Sequence, residues 1–300
     1  MSDPARASLG AIVAEELSAP APLAVAAIGE AARDWHGDGV VAVLFYGSCR
    51  RDGYREGLLV DLYLIVSDYT AVHRSWAMRW LNHLVPPNVY YIETSRDGDR
   101  VRAKYALVSL PQLEQLTGPT TLNPYFWARF AQPTGLLWSR DPAVARCVAD
   151  ALVEAILTTD GAVRPLLPPG PDAASLWTRA LRESYRTELR AEKPERAAEI
   201  VRGDLERYRR VSAALGPREP DGSAARAARR WFLRRLQGRG LSLLRLAKAS
   251  WTFAGGADYL AWKISRHAGV PVVFSAWERR HPFLAAPFVL WRLARRRVVR

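Results

Sequence analysis

The residues with chemistry to offer are Gly47, Ser48, Asp61, Lys104 and Arg129. Gly47-Ser48 closes the apolar run VVAVLFY, and Asp61 opens a second, DLYLIV. A glycine at a strand end lets backbone approach an anion with no Cβ in the way. Serine adds a hydroxyl donor, and free amides at the start of a following helix favour negative charge. A lone carboxylate in an apolar strand is costly to bury unless a cation or donor meets it. Mg²⁺ held by Asp61 against the same phosphates would meet it. Lys104, on a later strand, has the charge to neutralise a triphosphate. Together these residues point to transfer of a phosphate-bearing group. The structural alternative is a Gly-Ser turn between core strands, a strand-edge Asp, a solvated Lys and a snorkelling Arg. Cys49 beside Ser48 has no visible activating partner, so the sequence gives no nucleophilic thiol.

These side chains need a scaffold, and the apolar pattern supplies one. Val40 to Tyr46 and Val60 to Val66 read as buried strands. On the second, Asp61, Tyr63 and Ile65 share one face, and Leu62 and Leu64 the other. Tyr69 to Leu84 reads as a helix ended by Pro86-Pro87. A hairpin follows, NVYYIETS and VRAKYALVSL around Arg96-Asp97-Gly98-Asp99, with Arg102 and Lys104 on one face. Pro111 to Leu116 starts a short helix, and Arg129 lies in an aromatic helix with Phe126, Trp127 and Phe130. Met1 to Trp35 reads as helix broken at Pro20 and Pro22. The expected fold class is α/β, with a mixed sheet.

A strand ending in Gly-Ser, followed by an Asp on the next strand, resembles the core of the nucleotidyltransferase superfamily, the polymerase-beta-like fold. Many members carry a second carboxylate two residues after the first. Tyr63 stands there instead, so a second metal ligand must come from elsewhere. Asp68, just past the strand, and Glu93, on Val89 to Thr94, are the candidates. Their alternatives are a turn cap and a solvent-facing strand residue. His73 reads as packed or surface rather than as a ligand.

A narrower resemblance runs from about Leu44 to Leu137. The ordered set YGSCRR, DLYLIVSD, VH, VYYIE, AKYALVSLPQLEQL and YFWARFAQPTGLL is similar to the mitochondrial-type phosphatidate cytidylyltransferases, the translocator assembly and maintenance family with its bacterial relatives. Tyr46, Gly47, Ser48, Asp61, Asp68, His73, Lys104, Tyr105, Arg129 and Pro133 fall on its pattern in order. A single strand Asp with no partner at Tyr63 agrees with it. The departures are Ala106 and Ala128 for glycines, and Gln132 for a lysine. If that lysine touches phosphate, Arg50 or Arg51 must compensate. The resemblance implies CTP and phosphatidic acid as substrates, Mg²⁺ as cofactor, and CDP-diacylglycerol and pyrophosphate as products. Asp61 and Lys104 would be catalytic. Gly47, Ser48, Lys104 and Arg129 would bind nucleotide, and Asp61 with Asp68 or Glu93 would bind metal.

Composition agrees with an anionic partner. The chain has 300 residues, 49% hydrophobic, and a formal net charge of +13. Two cysteines, Cys49 and Cys147, give no disulfide or metal framework. No secretory pattern opens the chain, and no uninterrupted apolar stretch reaches the roughly 18 residues of a membrane span.

The expected organisation is a nucleotidyltransferase domain over 1–143, with N-terminal helices over 1–38. A mostly helical second domain follows over 144–278. It holds an amphipathic helix Val144 to Leu157, a Pro-rich linker Pro165 to Pro171, and a charged helical region Ala174 to Leu215 interrupted at Pro194. Beyond the loop Gly216 to Ser223 comes a basic helix, RAARRWFLRRL, which reads as a membrane-surface or nucleic-acid element or as an ordinary packed helix. Lys248, Thr252, Gly255 and Gly256 are placed to line a phosphate or lipid head group, with ordinary helix packing as the alternative. The segment 279–300 is basic and amphipathic, suited to lie in a bilayer interface with Trp291 at head-group level and Arg292, Arg295, Arg296 and Arg297 outward. Expected partners are CTP, phosphatidic acid and an anionic membrane surface, without nucleic acid. The expected location is peripheral, on the cytoplasmic face of a bacterial inner membrane or a mitochondrial-type equivalent. The alternatives are a nucleotidyltransferase acting on RNA or a small molecule, and a non-catalytic basic module that binds membrane or nucleic acid.

Overall fold

The structure is a computed structural model, and it describes residues 3–55, 57–96, 99–189, 195–252, 274–275 and 277–278. Two helices come first, α1 (Asp3–Ser18) and α2 (Leu23–His36), separated at Pro20 and Pro22 as the sequence leads one to expect. Strand β1 (Val40–Tyr46) is buried along its whole length, which is why it is apolar at every position. A one-turn helix, α3 (Ser48–Arg51), leads to β2 (Leu59–Val66). The expected helix from Tyr69 is shorter. A 3₁₀ turn covers Tyr69–Ala71, and α4 (Trp76–Leu84) starts only after a break. The hairpin β3 (Asn88–Arg96) and β4 (Asp99–Ser109) follows, then α5 (Leu110–Thr117), capped by the Ser109 hydroxyl with proline in its first turn. After α6 (Trp127–Phe130) comes a strand the sequence reading did not assign, β5 (Gly135–Ser139).

The strand order is β3-β4-β2-β1-β5. β2 and β4 pair in parallel, and the other neighbours pair antiparallel, so the sheet is mixed. A short GLLWS run has no periodicity of its own to announce a strand. It becomes one because β1 offers it a free edge.

Helices make up the rest of the described chain: α7 (Pro142–Val163), α8 (Ala173–Tyr185), α9 (Arg196–Gly203), α10 (Leu205–Leu215) and α11 (Ala224–Thr252). Asp141 and Asp172 cap α7 and α8 by accepting the amides of Val144 and Ser175. Strand alternation sorts the core onto two faces. Leu62, Leu64, Val43 and Phe45 pack with Val25 and Ile28 of α2. Tyr63, Ile65, Leu44 and Val108 face the other way, into a larger cluster with α1 and helices α6 to α10. The boundary drawn after residue 143 runs through this larger cluster, which holds Phe126, Trp127 and Phe130 together with Val148, Trp177 and Tyr208. No single helix among the described residues is long and apolar enough to cross a membrane. The bent pair α1–α2 comes nearest in composition, and its two apolar stripes are buried on opposite faces of the sheet.

Candidate functional site

Register places four side chains in one row across the sheet. Tyr46 on β1 is opposite Asp61 on β2, Asp61 is opposite Lys104 on β4, and Lys104 is opposite Tyr91 on β3. Cross-strand partners share a face, and this face is the one the helices α6 to α10 cover. Lys104 Nζ lies 3.3 Å from Asp61 Oδ1. That ammonium is the cation that the half-buried carboxylate requires. The pairing follows from one parallel ladder, so neither residue shows its partner in the sequence.

Gly47 stands directly above Asp61. Its φ is +81°, in the left-handed region where a Cβ is strained. A Cβ built there would lie 3.1 Å from Asp61 Oδ2. The absent side chain therefore leaves space over one carboxylate oxygen. The Gly47 carbonyl accepts the amides of Arg50 and Arg51, which fixes the turn of α3. Cys49 is buried and donates its thiol to the Leu59 carbonyl at 3.3 Å. Burial first, then the charge of Asp61, push that thiol up to about 11, so it is no nucleophile at neutral pH.

The row opens into a cleft of about 320 Å³. Its floor and near wall are Tyr46, Gly47, Ser48, Asp61, Arg50 and Arg51. Arg129, Gln132 and Pro133 form one side. The Arg129 guanidinium lies 5.3 Å from the ring centres of both Tyr46 and Tyr125, and its Nε has no hydrogen-bond partner. It is thus an oriented, incompletely satisfied cation that lines the same cleft as the Asp61 carboxylate. Gln132, which replaces a lysine of the resembled pattern, shares the cleft with Arg50 and Arg51. The compensation expected of those two arginines is sterically available.

The far wall was missed in the sequence. It consists of Tyr185, Glu188, Arg196, Ile200, Asp204 and Tyr208, from α8 to α10 and their connections. Asp204 lies beyond the end of α9. Burial first, offset by Arg207, raises its carboxyl above the usual range. Nothing in a charged helical stretch marks one Asp among many as cleft-facing. Tyr125, four residues before Arg129, was the one legible signal for a stacked guanidinium.

Other expected site residues stand elsewhere. Asp68 follows the far end of β2, and at about 3.3 Å per residue that is roughly 23 Å along the chain from Asp61. Its carboxylate accepts the Thr70 amide at 2.7 Å, which holds it below the usual carboxylate range. It is a turn cap and not a partner of Asp61. Glu93 shares the face of Lys104 but sits on β3, two strands from Asp61. Its Oε1 takes the Tyr91 hydroxyl at 2.5 Å and Arg102 Nε at 3.2 Å. Glu93 is therefore committed to its own strand pair. Among the described residues no group of three or more His, Cys, Asp and Glu side chains comes together to hold a metal. His73 is buried against Asn88, as expected of a packed residue.

Lys248 does not line a head-group site. It is buried, and its ammonium donates to the carbonyls of Val85 and Pro87, the latter at 3.0 Å. Arg245 donates to Pro86 at 2.7 Å beside it. The pair clamps α11 to the loop after α4. Gly255, Gly256, Trp291, Arg292, Arg295, Arg296 and Arg297, and the side chain of Thr252, lie outside the described residues.

Around a space of small-molecule size the geometry brings together a glycine-roofed carboxylate that is paired with a lysine, the guanidinium groups of Arg50, Arg51 and Arg129, and a second helical wall with its own carboxylates. Such a site can bind and orient a polyanion. The chain matches no protein-family model, and it matches no curated protein.

Proposed function

We propose that this protein is a nucleotidyltransferase, and specifically a CTP:phosphatidate cytidylyltransferase that makes CDP-diacylglycerol and pyrophosphate at a membrane surface. The observation that carries the reading is the juxtaposition of Asp61, Gly47 and Lys104 at the mouth of an arginine-lined cleft. The resemblance in residues 44–137 narrows the class to lipid phosphate as acceptor.

Mg²⁺ fits this donor set in the way that it commonly binds nucleotides, through one carboxylate and the substrate's own phosphates. Asp61 would hold it, under the space that Gly47 leaves free. Bound there, the ion supplies charge neutralisation for the triphosphate. The protein's part is positioning. Gly47 and Ser48 line the cleft with Arg50 and Arg51 alongside, and would receive the phosphates there. Lys104 can exchange its ion pair with Asp61 for a phosphate oxygen. Arg129, held by two tyrosine rings, adds a fixed cation for charge that spreads over the transferred group. A phosphatidate oxygen attacks the α-phosphorus of CTP in line, the new P–O bond forms, and the bond to the β-phosphate breaks to release pyrophosphate. The nucleophile is already anionic at neutral pH, so it needs no general base. That accounts for an aromatic residue at Tyr63 where other members carry a carboxylate. The location proposed is peripheral, at the cytoplasmic face of a membrane.

The test is an assay with radiolabelled CTP, phosphatidic acid in mixed micelles and Mg²⁺, followed by lipid extraction. Label is expected in the organic phase, and Asp61→Asn is expected to lower its rate by about a hundredfold or more. Turnover of Asp61→Asn within about threefold of wild type would remove Asp61 from the mechanism. No organic-phase label, with CTP still raising the melting temperature, would move the reading to a soluble acceptor.

A further inference from the structure

The longest helix is built inside out on one side. α11 runs 29 residues with no Asp or Glu. Its inner face is fully used. Trp231 donates to the Ala162 carbonyl and packs edge-on against Trp127, Arg234 donates to the Leu122 carbonyl, and Lys248 and Arg245 grip the 85–87 loop. Its outer face holds Phe232, Leu233, Leu236, Leu243, Leu244 and Leu246, all exposed, with Leu236 and Leu246 each 66% exposed. Phe232, Leu236, Leu243 and Leu246 follow helical spacing, so they line one stripe. Arg226, Arg229, Arg230 and Arg239 are exposed around it. The clamp on Val85 and Pro87 brings the end of α4 beside the C-terminal part of α11. α4 carries its own stripe at intervals of four, Trp76, Trp80 and Leu84, of which Trp76 is 71% exposed.

Apolar surface of this extent on two helices is unfavourable in water. A helix that is apolar on its outer face and purely cationic in charge matches one solvent, the interface of an anionic bilayer. Leucine, phenylalanine and tryptophan enter the head-group boundary there, and arginines meet the lipid phosphates. We propose that the outer face of α11, extended by the Trp76–Trp80–Leu84 stripe of α4, docks the protein on an anionic membrane. Charge complementarity selects the bilayer over a second copy, because two copies would bring arginine-only faces together. The surface lies outside residues 279–300. It rests on exposure and charge, and it stands whether or not the chain transfers a cytidylyl group.

Flotation of the full-length protein tests this, using phosphatidylcholine vesicles with or without about 30 mol% phosphatidylglycerol. Wild type is expected to float with the anionic vesicles only. The double variant L236E/L243E is expected to lower the bound fraction by about tenfold or more, with its melting temperature within about 2 °C of wild type. R229Q/R230Q is expected to weaken binding to anionic vesicles without making the protein bind neutral ones. Unchanged flotation of L236E/L243E would overturn the proposal. So would a wild-type dimer that L236E/L243E converts to monomer with flotation retained, which would give this face to a second copy. A large fall in melting temperature for that variant would also overturn it, because the face would then be covered by the chain itself. Flotation and cytidylyl transfer are read separately, so the failure of one leaves the other standing.

Discussion

Gly47 and Asp61 act as one unit. The left-handed φ of Gly47 strains any other residue, and a Cβ there would crowd Asp61 Oδ2 at 3.1 Å, so the carboxylate would have to shift. Gly47→Ala is therefore expected to cost about 1–2 kcal/mol in stability and to reduce cytidylyl transfer by more than that loss explains. Chemical denaturation paired with the radiolabel assay at a fixed folded fraction would check it. His36 offers a second residue-scale test. It contacts the Tyr105 hydroxyl through Nε2 at 3.2 Å and packs edge-on against Tyr90 and Tyr105. Burial first, then the nearby His73, push its imidazole down from 6.5 to about 4. In that window the unfolded chain binds a proton that the folded chain refuses. Stability is thus full above about pH 6.5 and is lost progressively as pH falls toward 4. His36→Gln is expected to flatten that part of the melting-temperature profile. Parallel wild-type and variant profiles would show that His36 is not the group responsible.

At the scale of elements, α11 is held by close approach as well as by hydrogen bonds. A Cβ at Gly238 would lie 2.7 Å from the Thr187 carbonyl oxygen and 2.8 Å from its Cβ, whereas one at Gly240 would meet nothing within 4 Å. In a helix, Gly→Ala gains about 1 kcal/mol from backbone entropy, and overpacking against fixed backbone costs about 1–3 kcal/mol. Gly238→Ala is expected to lower the melting temperature and Gly240→Ala to raise it. A scan of both variants decides whether the contact or the propensity dominates. The parallel pairing of β2 with β4 is the other decisive element-level fact. It puts Lys104 beside Asp61 and leaves Glu93 with Arg102.

For the molecule as a whole, the sheet and the helical region share one core. Arg207 of α10 joins Glu16 of α1 at 2.7 Å and the carbonyl of Ala131 at 2.7 Å, so a partly buried ion pair ties the N-terminal helix to the helical region. Trp177 stacks near Tyr208, and Trp127 meets Trp231. A fragment 1–143 would bare Tyr63, Phe126, Trp127 and Phe130, which α7 to α11 now cover. Such a fragment is expected to lack a cooperative melting transition and to bind a hydrophobic dye, while the full chain melts in one step. A sharply melting, dye-negative fragment would make residues 1–143 an independent domain. The site inherits this dependence, because its far wall is helical.

Much of the scaffold was written in local pattern. Short apolar runs marked β1 and β2, Pro20, Pro22 and Pro86-Pro87 marked the helix breaks, and side-chain alternation assigned Asp61 and Tyr63 to one face and Leu62 and Leu64 to the other. Those signals act over a few residues, so one chain carries them. What joins residues distant in sequence was not legible. The Asp61–Lys104 pair depends on ladder register, β5 on a free edge of β1, and Glu188 and Asp204 on how helices close over the sheet. Asp68 and Glu93 were expected to take a metal ion, and Lys248 a phosphate or lipid head group, as partner. Tertiary structure gave each a local one: the Thr70 amide, Arg102 with Tyr91, and the 85–87 carbonyls. Composition determined that the protein is strongly cationic and rich in apolar residues. Only packing decided which of those residues remain outside, because burial is a property of the closed fold rather than of any single segment.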